Sequence, residues 1–248
     1  MIASIRIDQK LFNVDLSKPL DLSISLRAGN NNVNAFYIPP IKFEPFKSGN
    51  FIGDVNSGGS CNVVSITFNP HGNGTHTETV GHISVEKFPI NKCLRQFFFE
   101  AQLITVEPEV YDNDRIIKLN QLKKILNGKS AEALVIRTLP NNIEKLSAQY
   151  SGSNPPYMDE NAANYLRSLN VKHLLLDLPS IDREEDKGKL LAHHAFWNYP
   201  IAPRADCTIS ELIYVPDFIK DGNYLLNLQI ASFDNDASPS KPVLYAMY

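Results

Sequence analysis

Cysteine is scarce in this chain: Cys61, Cys93 and Cys207 are its three cysteines, and they lie far apart without any CxxC pair. So few and so scattered thiols argue against a disulfide scaffold and against a paired-cysteine metal site. They are typical of buried thiols in a reducing compartment. We therefore expect a cytoplasmic protein.

Long apolar runs are also absent, since no segment approaches the ~20 residues that a membrane-spanning helix needs. The first ten residues carry charge at Arg6, Asp8 and Lys10, and no continuous apolar stretch follows them. This start is unlike a secretory signal peptide. We expect no signal peptide and no membrane partner.

No charge of one sign dominates. The chain has 24 Lys and Arg against 27 Asp and Glu, a net charge of −3, and no basic cluster, so a nucleic-acid partner is not expected. Apolar residues make up 43% and charged residues 21%, which is typical of a globular protein. With 248 residues and no low-complexity linker, we predict a single domain spanning residues 1–248.

Hydrophobic periodicity predicts strands and helices that alternate along the chain. Helical spacing appears at 119–126 and 159–169, with Asp159 as a cap, and a third helix is predicted from Asp182 to the paired histidines. Residues 28–59, rich in Asn, Gly, Pro and aromatics, predict a long ordered loop. Strands are predicted at 3–7, 20–26, 61–68 (buried), 97–106, 133–137, 171–178, 208–215 and 224–230. This mixture indicates an α/β or α+β fold.

Histidine is rare as well, and five of the six histidines fall in two short segments. Each segment has a carboxylate within reach. Histidine and carboxylate are the ligand types of zinc, manganese and iron sites. The clustered residues are His71, His76, Glu78 and His82 in the first segment, and His193, His194 and Glu211 in the second.

The local chemistry of the first segment favours an extended chain, in which His76, Glu78 and His82 share one face. The glycines before His76 would let the backbone turn and bring His71 in from the side. The alternative helical conformation would pair Glu78 with His82 and send His76 elsewhere. Ordinary hydrogen-bonded histidines are the other alternative to a metal site, and His173 is expected to be one of these.

In the second segment, His193 and His194 are adjacent and point in different directions, so at most one of them is expected to be a ligand. Glu211 lies among apolar neighbours, where a buried carboxylate needs a partner. Alternatively, Glu211 is a charged side chain at the edge of a strand and is exposed to water.

Several motifs carry a family resemblance that spans most of the chain. The segment GTHTETVGH closely resembles the His-x-Gly-Thr-His-x-Asp-x-Pro-x-His signature of the Putative cyclase family, which includes bacterial kynurenine formamidases and isatin hydrolases. Residues 15–17 (DLS), 136–138 (IRT) and 177–182 (DLPSID) resemble further family motifs. His193 and Glu211 stand where the family places its later histidine and glutamate.

This resemblance implies a swivelling β/β/α fold within the α/β class, and a homo-oligomer, either a dimer or a tetramer. It also implies one or two divalent metal ions, zinc or manganese, and a small-molecule substrate. His82 corresponds to the proton-transferring histidine, and Glu211 could also orient the attacking water. The implied metal ligands are His71, His76, Glu78, His193 and Glu211.

The sequence departs from the family signature at three positions. Glu78 replaces the aspartate, and Val80 replaces the proline. The position of the first histidine, four residues before His76, is Gly72, and His71 lies one residue earlier. In addition, residues 198–206 resemble an insertion.

Three functions are compatible with these residues. The first is an arylformamidase-type hydrolase of carbon–nitrogen bonds, in which a metal-bound hydroxide attacks an amide or formamide carbonyl. The second is a lactone hydrolase or cyclase at the same site. The third is a non-catalytic small-molecule-binding protein whose motif has drifted. The aromatic loop from Phe36 to Phe51 is expected to shape the substrate site.

Overall fold

A computed structural model describes residues 1–7, 9–129 and 131–248. Its strands are β1 Ile2–Ile7, β2 Lys10–Asp15, β3 Leu20–Asp21, β4 Lys42–Pro45, β5 Lys47–Ser48, β6 Phe51–Ile52, β7 Val64–Thr67, β8 His76–Glu78, β9 Phe98–Val106, β10 Glu109–Tyr111, β11 Asp114–Ile117, β12 Ala133–Thr138, β13 Tyr157–Met158, β14 His173–Leu176, β15 Thr208–Glu211, β16 Gly222–Ile230 and β17 Ala237–Ala246. Its α-helices are α1 Pro70–Asn73, α2 Ile90–Cys93, α3 Leu119–Leu126, α4 Glu160–Ser168 and α5 Leu191–Trp197. Short 3-10 turns span Gly29–Asn31, Val55–Ser57, Val80–His82 and Ile143–Leu146.

The central sheet closes on itself. Its strands follow the order β16-β9-β12-β14-β15-β8-β17, and β17 pairs back with β16, while β3 adds to the edge of β17. Strands β9, β12, β14 and β15 are parallel, and β8 runs antiparallel to β15. Because parallel strands end at the same rim of a sheet, residues that follow them come close together there.

Two hydrophobic layers flank the parallel strands, as expected for strands that are buried on both faces. Alternate residues of β12 point in opposite directions. Leu134 and Ile136 pack with the helices in one cluster, where Phe196 and Trp197 of α5 are fully buried. Val135 belongs to the cluster on the opposite face. α5, which carries paired histidines, is thereby fixed against the sheet.

The structure confirms the predicted α/β class and several elements. α3 occupies residues 119–126, and α4 begins after Asp159, whose side chain accepts a hydrogen bond from the Ala162 amide. The strands predicted at 97–106, 133–137 and 224–230 are present as β9, β12 and β16. β17 was not predicted because Pro239 and Pro242 interrupt its pattern. No helix in the described ranges is long and apolar enough to cross a membrane.

Several other predictions of local structure were wrong. The segment expected to be a loop at 28–59 contains β4, β5 and β6, and the strand expected at 208–215 ends at Glu211. The strand expected at 61–68 is shorter. β7 is exposed along its length because, in the described part of the chain, it pairs only with β4 in a separate two-stranded sheet. The strand at 20–26 ends after Asp21, whose carboxylate accepts hydrogen bonds from the amide and hydroxyl of Ser23. The helix expected from Asp182 begins only at Leu191, since Asp186 accepts from the Gly188 and Leu190 amides and holds a turn.

Candidate metal centre

Two neighbouring strands place an imidazole beside a carboxylate at the rim of the sheet. In the antiparallel register of β8 and β15, His76 lies opposite Glu211. Glu78, two residues further along β8, shares the face of His76. Thr77 points to the other side, where its hydroxyl lies 2.6 Å from that of Ser210. His76 and Glu78 are fully buried, and Glu211 is nearly so.

His71 and His82 reach the same point from short turns on either side of β8. The Asn69 side chain accepts a hydrogen bond from the His71 amide and starts α1. After β8, the Thr79 hydroxyl accepts from the Gly81 amide and begins a 3-10 turn. The extended conformation predicted as far as His82 is therefore wrong beyond Thr79. The turn folds His82 back, so that its Nδ1 lies 3.7 Å from Glu78 Oε2.

His193 comes from α5 and is held by Asp182. The Asp182 carboxylate accepts hydrogen bonds from the amides of Ala192 and His193, and lies 2.6 Å from His193 Nδ1. His194 turns away, with its Nδ1 3.1 Å from the Tyr199 carbonyl oxygen. The structure thus brings His193, and not His194, into the cluster.

Glu78 lies at the centre of the cluster. Its Oε1 is 3.1 Å from His193 Nε2, and its Oε2 is 3.0 Å from His71 Nδ1. His76 Nε2 lies 3.9 Å from Glu78 Oε2 and 3.6 Å from Glu211 Oε2. Glu211 Oε1 also accepts a hydrogen bond from the Ile181 amide. The predicted residues His71, His76, Glu78, His82, His193 and Glu211 therefore lie together in one cluster.

Three histidines have one ring nitrogen engaged outside the cluster and the other directed into it. His76 Nδ1 lies 3.1 Å from the Gly74 carbonyl oxygen, His193 Nδ1 contacts Asp182, and His71 Nε2 lies 3.0 Å from Asp236 Oδ2. Metal-binding histidines are usually oriented by such outer partners. The inward nitrogen of His76, Nε2, is buried and has no hydrogen-bond partner within the described residues.

The charges of the cluster also fit a cation. Burial lowers the pKa of His76 to about 4, so it presents a neutral nitrogen. Burial opposes ionisation of Glu78, but His82, His193 and His71 hold its pKa well below the usual range. Burial and the Glu78 charge raise the pKa of Glu211 to about 8. A divalent cation would favour both carboxylates in their ionised form and displace the histidine protons.

The carboxylate partners of His71 and His193 raise the pKa values of these two histidines. Burial opposes their protonation, yet hydrogen bonds to Asp236 and Glu78 raise the pKa of His71 to about 10. Asp182 and Glu78 raise the pKa of His193 to about 10 in the same way. Nitrogen and carboxylate donors in this arrangement match zinc and manganese sites. In the described residues, donor atoms within 4.8 Å of one another form three sets: His71, His76 and Glu78; Glu78, His82 and His193; and His71, His82 and Asp236.

Sequence reasoning missed Asp236, which precedes β17. Its carboxylate contacts His71 and lies 3.7 Å from His82 Nδ1. Nothing in the segment around Asp236 resembled a motif, and it lies more than 150 residues from both histidines in sequence. Only the pairing of β17 with β8 brings it here. Asp182, in contrast, belongs to the DLPSID segment that the sequence singled out.

A cavity of about 220 Å³ opens onto the cluster. Phe36, Arg183, Glu184 and Leu190 line it together with His71, His82, His193 and Glu211. Phe36 has a left-handed backbone with φ of 58°, a conformation that costs energy in a non-glycine residue and is often found at functional sites. Of the aromatic loop, Phe36 lines the cavity, whereas Phe43 lies on the exposed strand β4.

Comparisons with known proteins agree on the family and the fold. A family model described as Putative cyclase matches residues 14–183. The chain is 27% identical over 233 residues to a kynurenine formamidase of Bacillus thuringiensis (strain Al Hakam), covering 93% of this chain and 96% of the relative. This match extends beyond the family model.

Solved structures show the same architecture. The chain superposes with a TM-score of 0.70 and 14% identity on an isatin hydrolase bound to the product analogue thioisatinate, over 93% of each chain. A potential metal-dependent hydrolase with cyclase activity gives a TM-score of 0.65 and 18% identity, over 92% of this chain and 98% of that one. At such identities the likeness shows the fold alone, and it confirms the predicted cyclase-type α/β fold.

Proposed function

The chain belongs to the Putative cyclase family, whose model covers residues 14–183, and from this premise we propose that it is a metal-dependent hydrolase. The bond cleaved is the carbon–nitrogen bond of an amide or formamide, as in an arylformamidase. One observation carries the proposal: among the described residues, His76 Nε2 is buried without a hydrogen-bond partner and faces two buried carboxylates. An unpaired buried nitrogen is costly unless a ligand occupies its lone pair.

The ion proposed is zinc or manganese, and either suits a site of imidazole and carboxylate donors. Its ligands would be His71, His76, Glu78, His193 and Glu211. The inward nitrogens of the three histidines and their engaged outer nitrogens support these roles. A divalent ion so bound polarises a carbonyl and lowers the pKa of water from 15.7 to about 7.

Two side chains, Glu211 and His82, would orient the attacking water and transfer the proton. Glu211 would accept a hydrogen bond from the attacking water and orient it toward the substrate carbonyl, because its Oε2 faces the centre while Ile181 holds Oε1. His82 lies at the rim of the cluster, and about a third of its side chain is exposed. It would deliver a proton to the departing nitrogen, a role that imidazole performs near neutral pH.

A substrate panel tests the reaction type. We expect purified protein loaded with zinc or manganese to hydrolyse formanilides faster than lactones of similar size, with activity lost on chelation and restored by the same ion. Faster lactone cleavage would assign the protein to the lactone hydrolase or cyclase type. Tight binding of a panel compound with neither metal nor turnover would make it a binding protein and overturn the proposal.

We also propose that the protein is a homo-oligomer, a dimer or a tetramer, and the exposed arm of β4 and β7 supports this. Phe43 and Pro45 pair across the arm with Ile66 and Val64, so their side chains share one face. Phe43 is 39% exposed and Ile66 is 51% exposed. A two-stranded ribbon with an apolar face has little stability of its own in water. A second copy of the chain would cover that face.

The oligomer is tested by changing one face of the arm at a time. Phe43→Asp is expected to lower the mass measured by light scattering from that of an oligomer to that of a monomer, because a carboxylate would be buried against apolar residues. Thr67→Asp changes the opposite face of β7, where residue 67 pairs with Lys42, and should leave the mass unchanged. An unchanged mass in Phe43→Asp, or a monomeric wild type, would contradict this interface.

The expected cytoplasmic location stays a proposal. The free thiols Cys61, Cys93 and Cys207 support it, because a reducing compartment keeps thiols in that form. Cell fractionation with a tagged full-length chain would test it. Recovery of the protein outside the cytoplasmic fraction would count against it.

A further inference from the structure

We propose that Asp236 is a positioning residue that orients His71 and His82 on one side of the metal centre. A single oxygen of its carboxylate, Oδ2, lies 3.0 Å from His71 Nε2 and 3.7 Å from His82 Nδ1. The centroids of these two imidazole rings are 4.4 Å apart. One carboxylate oxygen is therefore within hydrogen-bond distance of a proposed ligand and within ion-pair distance of the proposed proton donor.

The position of His71 depends on Gly72, the next residue in the chain. A Cβ atom at this position would lie 2.9 Å from the Ala35 carbonyl oxygen and 2.4 Å from Ile38 Cδ1, so a side chain does not fit there. The preceding residue, His71, supplies the imidazole of this turn. From the first turn of α1, His71 directs Nδ1 toward Glu78 and leaves Nε2 on the outer side, where Asp236 receives it.

The backbone holds Asp236 firmly in this place. The Thr79 amide donates to the Asp236 carbonyl oxygen at 3.0 Å, and the Ile90 amide donates to that of Asn235 at 2.8 Å. Thr79 also starts the turn that carries His82. The carboxylate and the histidine that it orients are thus attached to the same segment. A positioning group supported in this way keeps its geometry when a ligand enters.

This role of Asp236 predicts how substitutions at position 236 rank in zinc affinity and activity. Asp236→Ala should weaken zinc affinity by about 10–100-fold, the usual effect of losing the outer partner of a metal-binding histidine. It should also lower kcat more than it raises KM, because His82 loses its support. Asp236→Asn should lie in between, since the amide oxygen can still accept the His71 Nε2 proton. Asp234→Asn is the matched control, because Asp234 is exposed and pairs only with Lys92 in the described residues.

The decisive measurements are zinc affinity by competition with a chelator and the exchange rate of the His71 Nε2 proton by NMR, with and without zinc. We expect slow exchange in the wild type and in Asp234→Asn, and fast exchange in a folded Asp236→Ala. Unchanged exchange and a zinc affinity within twofold of the wild type would overturn the inference. The inference rests on the proposed metal site, but the NMR arm needs neither metal nor substrate. If the wild type bound neither zinc nor manganese, the proposed function would fail while proton exchange still tested Asp236.

Discussion

Replacing Glu78 by glutamine is expected to abolish metal binding and hydrolysis. Glu78 is the only described carboxylate that lies within 4 Å of His71, His76, His82 and His193 together. Glutamine keeps the size of the side chain but removes its charge, so the cation would lose a central anionic donor. Since loss of an outer partner alone costs 10–100-fold, loss of this ligand should lower both metal affinity and kcat/KM by more than about 100-fold.

Elemental analysis of protein purified without chelator gives the direct measurement. We expect near-stoichiometric zinc or manganese in the wild type and almost none in Glu78→Gln. Glu86→Gln is a matched control, because Glu86 is exposed and its side chain reaches Tyr199 only at 3.5 Å. Full metal content and activity in Glu78→Gln would remove Glu78 from the centre.

The aspartate variant addresses the departure from the family signature. Glu78→Asp shortens the side chain by one carbon–carbon bond, ~1.5 Å. The contacts of 3.0 Å to His71 and 3.1 Å to His193 would both lengthen. We therefore expect metal affinity between those of the wild type and Glu78→Gln, although aspartate is the residue of the family. Wild-type affinity in this variant would mean that the backbone of β8 adjusts to the shorter side chain.

The residues of the centre could be predicted from the sequence because they are of metal-ligating types and because their spacing resembles the family signature. The geometry could not, since it depends on contacts between distant segments. Glu211 meets His76 through the β8–β15 register, which lies across more than 130 residues. Asp236 has no local signal at all. The choice of His193 over His194 depends on Asp182, which fixes the start of α5.

The fold could be predicted only in part, because local sequence patterns do not show which segments pair or pack together. Residues 61–68 are rich in β-branched side chains and predict a buried strand, but burial depends on partners, and in the described residues β7 pairs only with β4. The charged residues 182–190 suggested a helix, whereas their carboxylates bind backbone amides and hold a turn. That residues 1–248 form one domain stays a prediction. A single cooperative unfolding transition would support it.

Asp177→Ala is expected to lower the free energy of unfolding by about 3–5 kcal/mol, the usual cost of removing one partner of a buried ion pair. Asp177 is buried after β14, where it accepts hydrogen bonds from the Thr138 amide and hydroxyl. Its Oδ2 lies 2.7 Å from Lys145 Nζ, which is itself mostly buried. Burial raises the pKa of Asp177 despite these partners, so the pair contributes little net stability, yet the lone ammonium would be costly.

A double variant separates these two contributions. Lys145→Met combined with Asp177→Ala removes the ammonium and should recover part of the loss, because the amide and the carbonyl oxygen of Thr138 would both still lack these partners. Thermal unfolding is the measurement, and the single variant should unfold roughly 10 °C lower, at about 2–4 °C per kcal/mol for a chain of this size. Asp177 contacts none of the proposed ligands in the described residues, so zinc affinity should persist well below the unfolding temperature. A loss of affinity as large as that of Glu78→Gln would instead mean that the ends of β12 and β14 set the geometry of the centre.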